Sequence, residues 1–401
     1  MQLDSAALYR QVDSLMQLGI REEAFPGAQL LVAYQGRKVF HRAYGFHTYD
    51  SLEAVAPTDM YDLASVTKIA AALPAVMKLA EAGLVDLDAP MADYWKPWRR
   101  RRDKRELTLR EILAHQAGLQ PYIVYLTDVL RKGDLKKRFV RETPHRRYSL
   151  RAYDNLYVRD RFVRKIYRKA NRSEVSEEKT YRYSGLTFLL FPQVVEDLTG
   201  TAFAPFLRKE VYDPMGLEDL VFLPRLNRPG ARIVPTEVDT LYRKTLTQGW
   251  VHDENASLMG GISGNAGLFG TADNLAVLMQ CYADYGRYKG RQVLDSAVVA
   301  EFIRVQFPEN ENRRGLGFDK PLLDNTSLGL EEAYPAPGAS PKSFGHSGFT
   351  GTFVWADPEY QLVFIFLSNR VYPSREHRKL YEENLRSRLH ELFYQALIPK
   401  P

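Results

Sequence analysis

The sequence predicts an α/β fold of the α+β type, in which one antiparallel sheet is built from both ends of the chain and is flanked by helices. Three observations lead to this prediction. β-rich runs lie near residues 28–44 and again near 350–367, apolar helical runs lie between them, and no internal repeat is evident. A mainly helical lobe is therefore expected to be inserted between the two halves of the sheet.

The N-terminal β-rich region predicts a hairpin, because residues 28–34 and 38–44 are joined across Gln35-Gly36-Arg37. The C-terminal region predicts a second strand pair, 350–356 and 361–367, joined by a turn that contains proline. Helices are predicted where apolar runs meet a glycine stop or reach the C terminus: 65–82 before Gly83, 108–113 before Gly118, 187–198 before Gly200, 273–285 before Gly286, and 374–397.

These elements predict a single domain over residues 1–401 with two lobes. We expect an α/β lobe made of residues 1–85 and 290–401, and a mainly helical lobe made of residues 86–289. Within the helical lobe, residues 120–180 are expected to form a helical or irregular insertion.

Composition excludes several classes of protein. Hydrophobic residues make up 45% and charged residues 26%, with 22 Pro and 26 Gly, which excludes a disordered, collagen-like or coiled-coil chain. No apolar run approaches the roughly 18 residues that a membrane-spanning helix needs. A lone cysteine, Cys281, excludes an intrachain disulfide and thiolate metal clusters, and its apolar surroundings predict a core position.

Positive charge is concentrated in one segment. Between Arg131 and Arg182 there are 18 lysines and arginines against 7 aspartates and glutamates, although the whole chain carries only +6. Interleaved tyrosines permit a nucleic-acid interpretation. The favoured alternative is a solvated face, and attraction to anionic polymers is a third possibility.

The first candidate for chemistry is Ser65-Val66-Thr67-Lys68. Residues three apart share a helix face, so the Lys68 amine can lie beside the Ser65 hydroxyl and take its proton. Near the first turn, Ser65 also lies at the positive end of the helix dipole. The pattern alone is weak, because Ser176-Glu177-Glu178-Lys179 repeats it in a charged stretch, and because serine is also a frequent helix N-cap.

Two further candidates follow along the chain. Tyr183, in Tyr183-Ser184-Gly185, can share a proton with a nearby lysine and relay it to a leaving group, although a buried aromatic at a helix start is the simpler interpretation. His346 lies in a glycine-rich run, 345–351, that opens a strand whose edge can donate a free N–H to an oxyanion. Its simpler interpretation is a turn with an incidental histidine.

In this order the three motifs resemble the penicillin-recognising serine hydrolases, in the branch of class C β-lactamases, D-Ala-D-Ala peptidases and family VIII-type esterases. Residues 61–68 are similar to the family's nucleophile segment, and residues 113–119 to its turn after the second helix. Tyr183-Ser184-Gly185 stands where the family has Tyr-x-Asn, and His346-Ser347-Gly348 where it has Lys-Thr-Gly or His-x-Gly. The resemblance implies a β-lactamase/transpeptidase-like fold.

Residues 251–256 and 260–269 further resemble a subgroup associated with β-N-acetylglucosaminidases, of which some members are N-acetylmuramoyl-L-alanine amidases. The resemblance implies an acyl-enzyme on an amide or ester substrate, either a peptidoglycan fragment or a carboxylic ester. It implies these site residues: catalytic Ser65, Lys68, Tyr183 and His346; an oxyanion hole made by the backbone N–H groups of Ser65 and Phe349; and substrate contacts from Gly185, Ser347, Gly348 and Asn255.

Two departures from the family pattern bear on this expectation. Gly185 lacks the asparagine amide that helps to hold a substrate's amide group, and His346 lacks a fixed positive charge, although it can hydrogen-bond Tyr183 or a substrate carboxylate. Both argue against an efficient β-lactamase. The alternative is a catalytically silent module, resembling penicillin-binding proteins, that binds cell-wall ligands.

No cofactor and no metal is expected. His252-Asp253-Glu254 together with His346 is interpreted as a pocket rim, in preference to a metal site. We expect a small-molecule or wall-fragment substrate, no nucleic-acid partner and no membrane span, with the oligomeric state open. The expected location is the bacterial periplasm or envelope if a leader has been removed, and otherwise the cytoplasm, because residues 1–30 contain no uninterrupted apolar leader.

Overall fold

A five-stranded antiparallel sheet forms the centre of the computed structural model, which describes residues 5–397. Its strands are β1 (Gly27–Tyr34), β2 (Arg37–Gly45), β3 (Phe344–Ser347), β4 (Phe353–Asp357) and β5 (Leu362–Ser368). Their order across the sheet is β3-β4-β5-β1-β2. N-terminal β1 therefore pairs with C-terminal β5, with Ala28 opposite Ser368 and Tyr34 opposite Leu362. The predicted assembly of the sheet from both ends of the chain is confirmed.

Five helices that frame the sheet and the site are α1 (Ser5–Arg21), α2 (Leu73–Glu81), α3 (Phe162–Arg172), α4 (Ala272–Ala283) and α5 (Leu385–Leu397). Shorter α-helices span Met91–Tyr94, Leu109–Leu113, Leu126–Val129, Phe191–Thr199, Phe203–Leu207, Asp213–Met215, Pro224–Asn227, Glu254–Leu258, Ser296–Ile303 and Lys379–Glu382. Lys68–Ala72 and Arg208–Tyr212 are π-helical, and 3₁₀ turns span Lys96–Arg100, Thr187–Leu189, Pro308–Asn310 and Asn325–Ser327.

Short strands complete the elements of the described chain. They are Tyr61–Asp62, Leu130–Arg131, Asp134–Leu135, Val140–Arg141, Leu150–Tyr153, Leu156–Val158, Val221–Phe222, Val238–Asp239, Thr245–Leu246, Leu268–Gly270, Arg287–Tyr288 and Arg291–Gln292. The strand Leu268–Gly270 pairs with Tyr61–Asp62 on one side and with Val221–Phe222 on the other. This small sheet holds the chain just before Ser65 in place.

The two faces of the main sheet are covered by different helices. Alternate strand residues point to opposite faces. Leu31 and Ile365 lie in one core with α4, whereas Leu30 and Phe366 lie in a second core with α1 and α5. Because α4 contacts β1, β4 and β5, it belongs with the sheet. The predicted boundary of the helical lobe at residue 289 is therefore too late in the chain.

Helix α1 was not among the predicted elements. Its buried residues Leu8, Val12 and Met16 recur every four positions, which is the spacing of one helix face. That face packs into the same core as Phe393 of α5. The spacing of these apolar residues among charged and polar neighbours is typical of a surface helix.

The C-terminal helix is shorter than predicted. It is divided into Lys379–Glu382 and α5, and Asn384 between them has a left-handed φ of 46°. Residues 374–378 are not helical because their backbone is engaged elsewhere. The Arg375 N–H donates to the Glu237 carboxylate (3.0 Å), and the Arg375 carbonyl accepts a hydrogen bond from Arg370 (3.0 Å).

The basic insertion contains strands that were not predicted. Strands Val140–Arg141, Leu150–Tyr153 and Leu156–Val158 form a three-stranded sheet, and α3 packs with it around a separate apolar core. The alternation of buried Ala152, Leu156 and Val158 with charged or polar neighbours accounts for these strands, and the basic residues on them obscured it. On α3, Lys165 and Lys169 form ion pairs with Asp128, so part of the positive charge is neutralised locally.

Helix α2 is preceded by the π-helical turn Lys68–Ala72, whereas the sequence predicts a regular α-helix from residue 65. Pro74 has no N–H, so the carbonyl of Ala70 has no partner four residues later. The Tyr212 hydroxyl donates to this carbonyl (2.7 Å), and the Tyr282 hydroxyl donates to the carbonyl of Ile69 (2.8 Å). One phenol therefore serves the carbonyl that lacks the proline N–H, and the other binds the neighbouring carbonyl of the π-helical turn.

None of the helices among residues 5–397 is long and apolar enough to cross a bilayer. Cys281 is fully buried in α4, as its apolar surroundings predict, and burial raises the pKa of its thiol to about 12.

Candidate active site

The chain enters the candidate site through a strained turn. Ala64 has a left-handed φ of 45°, which is uncommon for a residue with a Cβ, and its N–H donates to the buried carboxylate of Asp62 (2.9 Å). This turn places Ser65 directly before the helical run, where the Lys68 N–H donates to the Ser65 carbonyl (3.0 Å). Ser65 therefore lies at the positive end of the helix, as predicted.

The contact predicted from the Ser-x-x-Lys spacing is present. The Lys68 Nζ is 2.9 Å from the Ser65 Oγ and 3.3 Å from the carbonyl oxygen of Asn265. Lys68 is only 2% exposed, and no carboxylate among the described residues forms an ion pair with it. The second copy of the motif is different, because Lys179 forms an ion pair with Glu111 at the surface.

Tyr183 approaches the pair from the helical lobe. The Lys68 Nζ lies 5.2 Å from the centre of the Tyr183 ring. The His115 ring packs against the same ring, with 4.6 Å between the two ring centres. Burial by itself raises the pKa of the phenol, but the charge of Lys68, hydrogen bonding with Lys68 and Ser65, and the charge of Arg314 outweigh it. The pKa of Tyr183 is therefore below its ordinary value, which favours a phenol that gives up its proton.

His346 lies on β3, 6.0 Å from Tyr183 between ring centres. Burial, followed by the charges of Arg314 and Lys68, lowers the pKa of the His346 ring to about 3, so the ring is neutral near pH 7. Its Nδ1 lies 2.7 Å from the Ser347 carbonyl and must donate to it, which leaves Nε2 as an acceptor. The Nε2 atom has no partner among the described residues. The expected hydrogen bond to Tyr183 is thus absent, and Nε2 cannot donate to a substrate carboxylate.

The predicted oxyanion hole depends on a close approach between the strand edge and the nucleophile turn. A Cβ at Gly348 would lie 2.1 Å from the Thr352 Oγ1 and 2.6 Å from the Leu63 carbonyl, so only glycine fits there. The hydroxyls of Thr350 and Thr352 bind the carbonyls of Asp62 (2.8 Å) and Leu63 (3.1 Å). These contacts fix the backbone around Phe349 beside Ser65.

Phe349 is held from both sides at the entrance of the site. Its ring is 48% exposed, lies 4.5 Å from the Arg370 guanidinium and stacks on His252 with 5.7 Å between ring centres. Arg370 also donates to the Phe349 carbonyl (2.9 Å). No hydrogen bond from the Phe349 or Ser65 N–H is seen within residues 5–397, so both donors remain available to an oxyanion.

Gly185 borders the same space. An ideal Cβ at Gly185 would lie 3.9 Å from the Lys68 Cε and 4.0 Å from the Asn265 Cβ, which are ordinary contacts. A side chain at position 185 would therefore point toward the Ser65–Lys68 pair, and glycine is not required there for backbone reasons. Ser347 is partly buried on β3, with its carbonyl engaged by His346.

The side chain of Asn255 makes its hydrogen bonds to the backbone of the basic insertion. Its Nδ2 donates to the Ile123 carbonyl (2.9 Å), and its Oδ1 accepts from the Tyr125 N–H (3.3 Å). Both ends of the amide hold the backbone of the insertion, which indicates positioning of the rim and not direct substrate contact. Asn265 lies against Gly185 through its Cβ, while its Oδ1 accepts from the Ser263 hydroxyl (2.7 Å) and its Nδ2 lies 3.4 Å from the Asp253 carboxylate.

The sequence analysis missed two residues of the site. Arg314, 2% exposed, lies with its guanidinium 5.6 Å from the Tyr183 ring centre, and Asn265 accepts from Lys68 and faces Gly185. Asn265 lies within the glycine-rich run that the resemblance singled out, whereas no motif pointed to Arg314. Among residues 5–397 no group of three or more His, Cys, Asp or Glu side chains is arranged to hold a metal ion. His252 instead pairs with Glu237 (2.9 Å).

A Ser-Lys pair at the start of a helix, with a phenol and a strand edge beside it, is the arrangement that a serine hydrolase of amides or esters requires. Residues 10–387 match the family described as Beta-lactamase, and the chain belongs to this family. The predictions of family, fold class and enzyme class are confirmed.

Two relatives and one solved structure are similar over nearly the whole chain. A Salmonella gallinarum (strain 287/91 / NCTC 13346) protein named "Putative D-alanyl-D-alanine carboxypeptidase" is 28% identical over 393 residues, covering 92% of this chain and 83% of that protein. "N-acetylmuramyl-L-alanine amidase" of Bacillus subtilis (strain 168) is 27% identical over 385 residues, covering 90% and 80%. The structure titled "EstCE1, a hydrolase with promiscuous acyltransferase activity" has a TM-score of 0.69 at 17% identity, covering 99% and 100%.

Proposed function

We propose that this enzyme cleaves an amide or ester bond in a fragment of peptidoglycan through an acyl-enzyme on Ser65. The observation that carries the proposal is the 2.9 Å contact between the Lys68 amine and the Ser65 hydroxyl. Lys68 is buried without an ion-pair partner among the described residues, so the amine can exchange a proton with its neighbours.

In the proposed reaction, Ser65 Oγ attacks the acyl carbonyl while its proton passes to the Lys68–Tyr183 pair. The N–H groups of Ser65 and Phe349 bind the oxyanion, each contributing about 10²–10³ in rate. Tyr183 then protonates the leaving amine or alcohol as the carbonyl–heteroatom bond breaks. The same pair then takes a proton from a water molecule, which attacks the acyl-enzyme ester. As the bond between the acyl carbon and Ser65 Oγ breaks, the pair returns that proton to Oγ and the acid product is released.

The chemistry at two positions narrows the substrate class. His346 is neutral near pH 7 and presents an acceptor, so a substrate carboxylate next to the scissile bond finds no donor there. Gly185 brings no amide to hold the substrate's amide. Both features favour simple esters, and wall-fragment amides in which no free carboxylate adjoins the scissile bond, over β-lactams, which carry one. The names of the relatives, a carboxypeptidase and a muramyl-alanine amidase, support a wall-derived substrate. Such a substrate implies action in or near the bacterial envelope.

The test combines covalent labelling with parallel substrates. A fluorophosphonate probe is expected to add one label to the wild-type protein and none to Ser65→Ala, as read by intact mass. Ser176→Ala is the matched control, because it removes the serine of the second, surface Ser-x-x-Lys copy and should label normally. N-acetylmuramoyl-L-alanine with its alanine carboxyl blocked as an amide, the same compound with a free carboxyl, a short nitrophenyl ester and nitrocefin are then compared.

Turnover of the amide or the ester above that of nitrocefin is the expected result. Absence of both label and turnover, with wall fragments still bound, would favour the silent binding module instead. Preferential hydrolysis of nitrocefin would contradict the substrate assignment while leaving the acyl-enzyme intact.

A further inference from the structure

Besides Lys68, three buried side chains that carry nitrogen lie around the Tyr183 ring. His115 is 4.6 Å and His346 is 6.0 Å away between ring centres, and the guanidinium of Arg314 is 5.6 Å from the ring centre. Burial is the main cause that lowers the pKa of both histidines, to about 3 for His346 and well below the ordinary value for His115. Apart from Lys68, Arg314 is therefore the cation that faces the phenol.

The charge of Arg314 is held in place. Its Nη1 lies 3.1 Å from the Asp319 carboxylate, and its Nη2 donates to the Gly317 carbonyl (3.0 Å). Its backbone N–H donates to Asn312, whose own amide binds the turn that carries His115 through the Ala114 carbonyl (2.9 Å). Because Asp319 is shared with Arg313 (2.8 Å), two arginines face one carboxylate. The cluster keeps a net positive charge next to Tyr183.

The groups that bear on the Tyr183 proton come from every element packed around it. The nucleophile segment contributes Lys68 and Ser65, and the turn after Leu109–Leu113 contributes His115. The loop before β3 contributes Arg313, Arg314 and Asp319. Tyr181 comes from the same segment as Tyr183, and His346 comes from β3. Among them, Arg314 combines a permanent charge with nearly complete burial and direct contact distance to the ring.

We propose that Arg314 is a positioning residue for the reaction, which supplies from behind Tyr183 the fixed positive charge that His346 does not provide on the strand side. The proposal rests on the acyl-enzyme function proposed for Ser65. A cation within about 4–6 Å stabilises a phenolate, because it interacts with the ionised form alone. Arg314 stays protonated throughout, while the Ser65 proton moves to the phenolate and then to the leaving group.

The test is the pH profile of kcat/KM for a nitrophenyl ester. Arg314→Met keeps the length of the side chain and removes its charge. The apparent pKa of the acidic limb is expected to rise by about one unit or more, so activity at pH 7 falls about tenfold per unit and recovers at alkaline pH, with KM unchanged. Arg314→Lys should give a smaller shift. The matched control is Arg304→Met, which removes a half-exposed cation that pairs with Glu301 (2.5 Å) away from the Asp319 cluster and should leave the profile unchanged.

A compensating variant gives a second test. Adding His346→Lys to Arg314→Met returns a cation to the other side of Tyr183 and should restore part of the activity at pH 7. A loss of activity that is equal at all pH values, or a profile that does not shift, would overturn the proposal.

A readout that does not depend on turnover separates this proposal from the function on which it rests. Tyrosinate absorbance, taken as the difference between each protein and its Tyr183→Phe counterpart, should show Tyr183 titrating at a higher pH in Arg314→Met. A wild-type protein that takes no fluorophosphonate label contradicts the proposed function. A labelled wild type with an unshifted Tyr183 titration contradicts the role of Arg314 alone.

Discussion

The close approach at Gly348 allows a sharp prediction for Gly348→Ala. The new methyl group would lie 2.6 Å from the Leu63 carbonyl and 2.1 Å from the Thr352 Oγ1, so the strand edge must move away from the nucleophile turn. That movement takes the Phe349 N–H out of hydrogen-bond reach of the oxyanion. Loss of one such donor lowers kcat about 10²–10³-fold, equivalent to about 2.7–4 kcal/mol. Overpacking should also destabilise the fold by about 1–3 kcal/mol.

The assay is the rate of acylation by a fluorophosphonate, with thermal unfolding measured in parallel to show that the variant is folded. Gly185→Ala is the matched control, because its methyl group borders the same site at ordinary contacts of 3.9 and 4.0 Å and should acylate within a few-fold of wild type. If Gly348→Ala acylated as fast as Gly185→Ala, the oxyanion hole assigned to this strand edge would be wrong.

Three further predictions concern stability, measured as the free energy of unfolding in denaturant. Tyr282→Phe leaves the buried carbonyl of Ile69 without the hydroxyl that donates to it and should lower the free energy of unfolding by about 1–3 kcal/mol. An unchanged free energy of unfolding would show that this phenol does not stabilise the π-helical turn. Met16→Ala should cost about 2–5 kcal/mol if α1 is an integral part of the core, and almost nothing if it is not. Burial raises the pKa of Glu237, but the hydrogen bonds from His252 and Arg375 have the larger effect and hold that pKa well below its ordinary value. Its contribution is therefore complete above about pH 5 and is lost on acidification, so the stability gap between wild type and Glu237→Gln should shrink as the pH falls below about 4.5; a gap that widened would contradict that sign.

The sequence was sufficient for the sheet and for the reacting pair, because both depend on local patterns. The apolar runs rich in β-branched and aromatic residues in β1 and β5 predict strands, and the spacing of Ser65 and Lys68 predicts a contact on one helix face. The strands of the basic insertion were missed because their buried residues are separated by arginines and tyrosines, which suggested a solvated helix.

Arg314 could not be predicted, because its role depends on an encounter between distant segments. Nothing near position 314 marks it as part of a site, and it reaches Tyr183 only once the loop before β3 folds against the helical lobe. The state of His346 has a similar origin. Its neutrality follows from burial and from two cations far away in sequence, so a histidine in a glycine-rich run gave no indication of it.

The two phenols that bind the helix before Pro74 come from different parts of the molecule, Tyr212 from the inserted lobe and Tyr282 from the helix beneath the sheet. The segment that bears the nucleophile is thus clamped from both sides, and neither half of the protein can loosen without releasing it. Heat inactivation and global unfolding should consequently coincide in a temperature scan. A partly melted form that still turned over substrate would contradict this coupling.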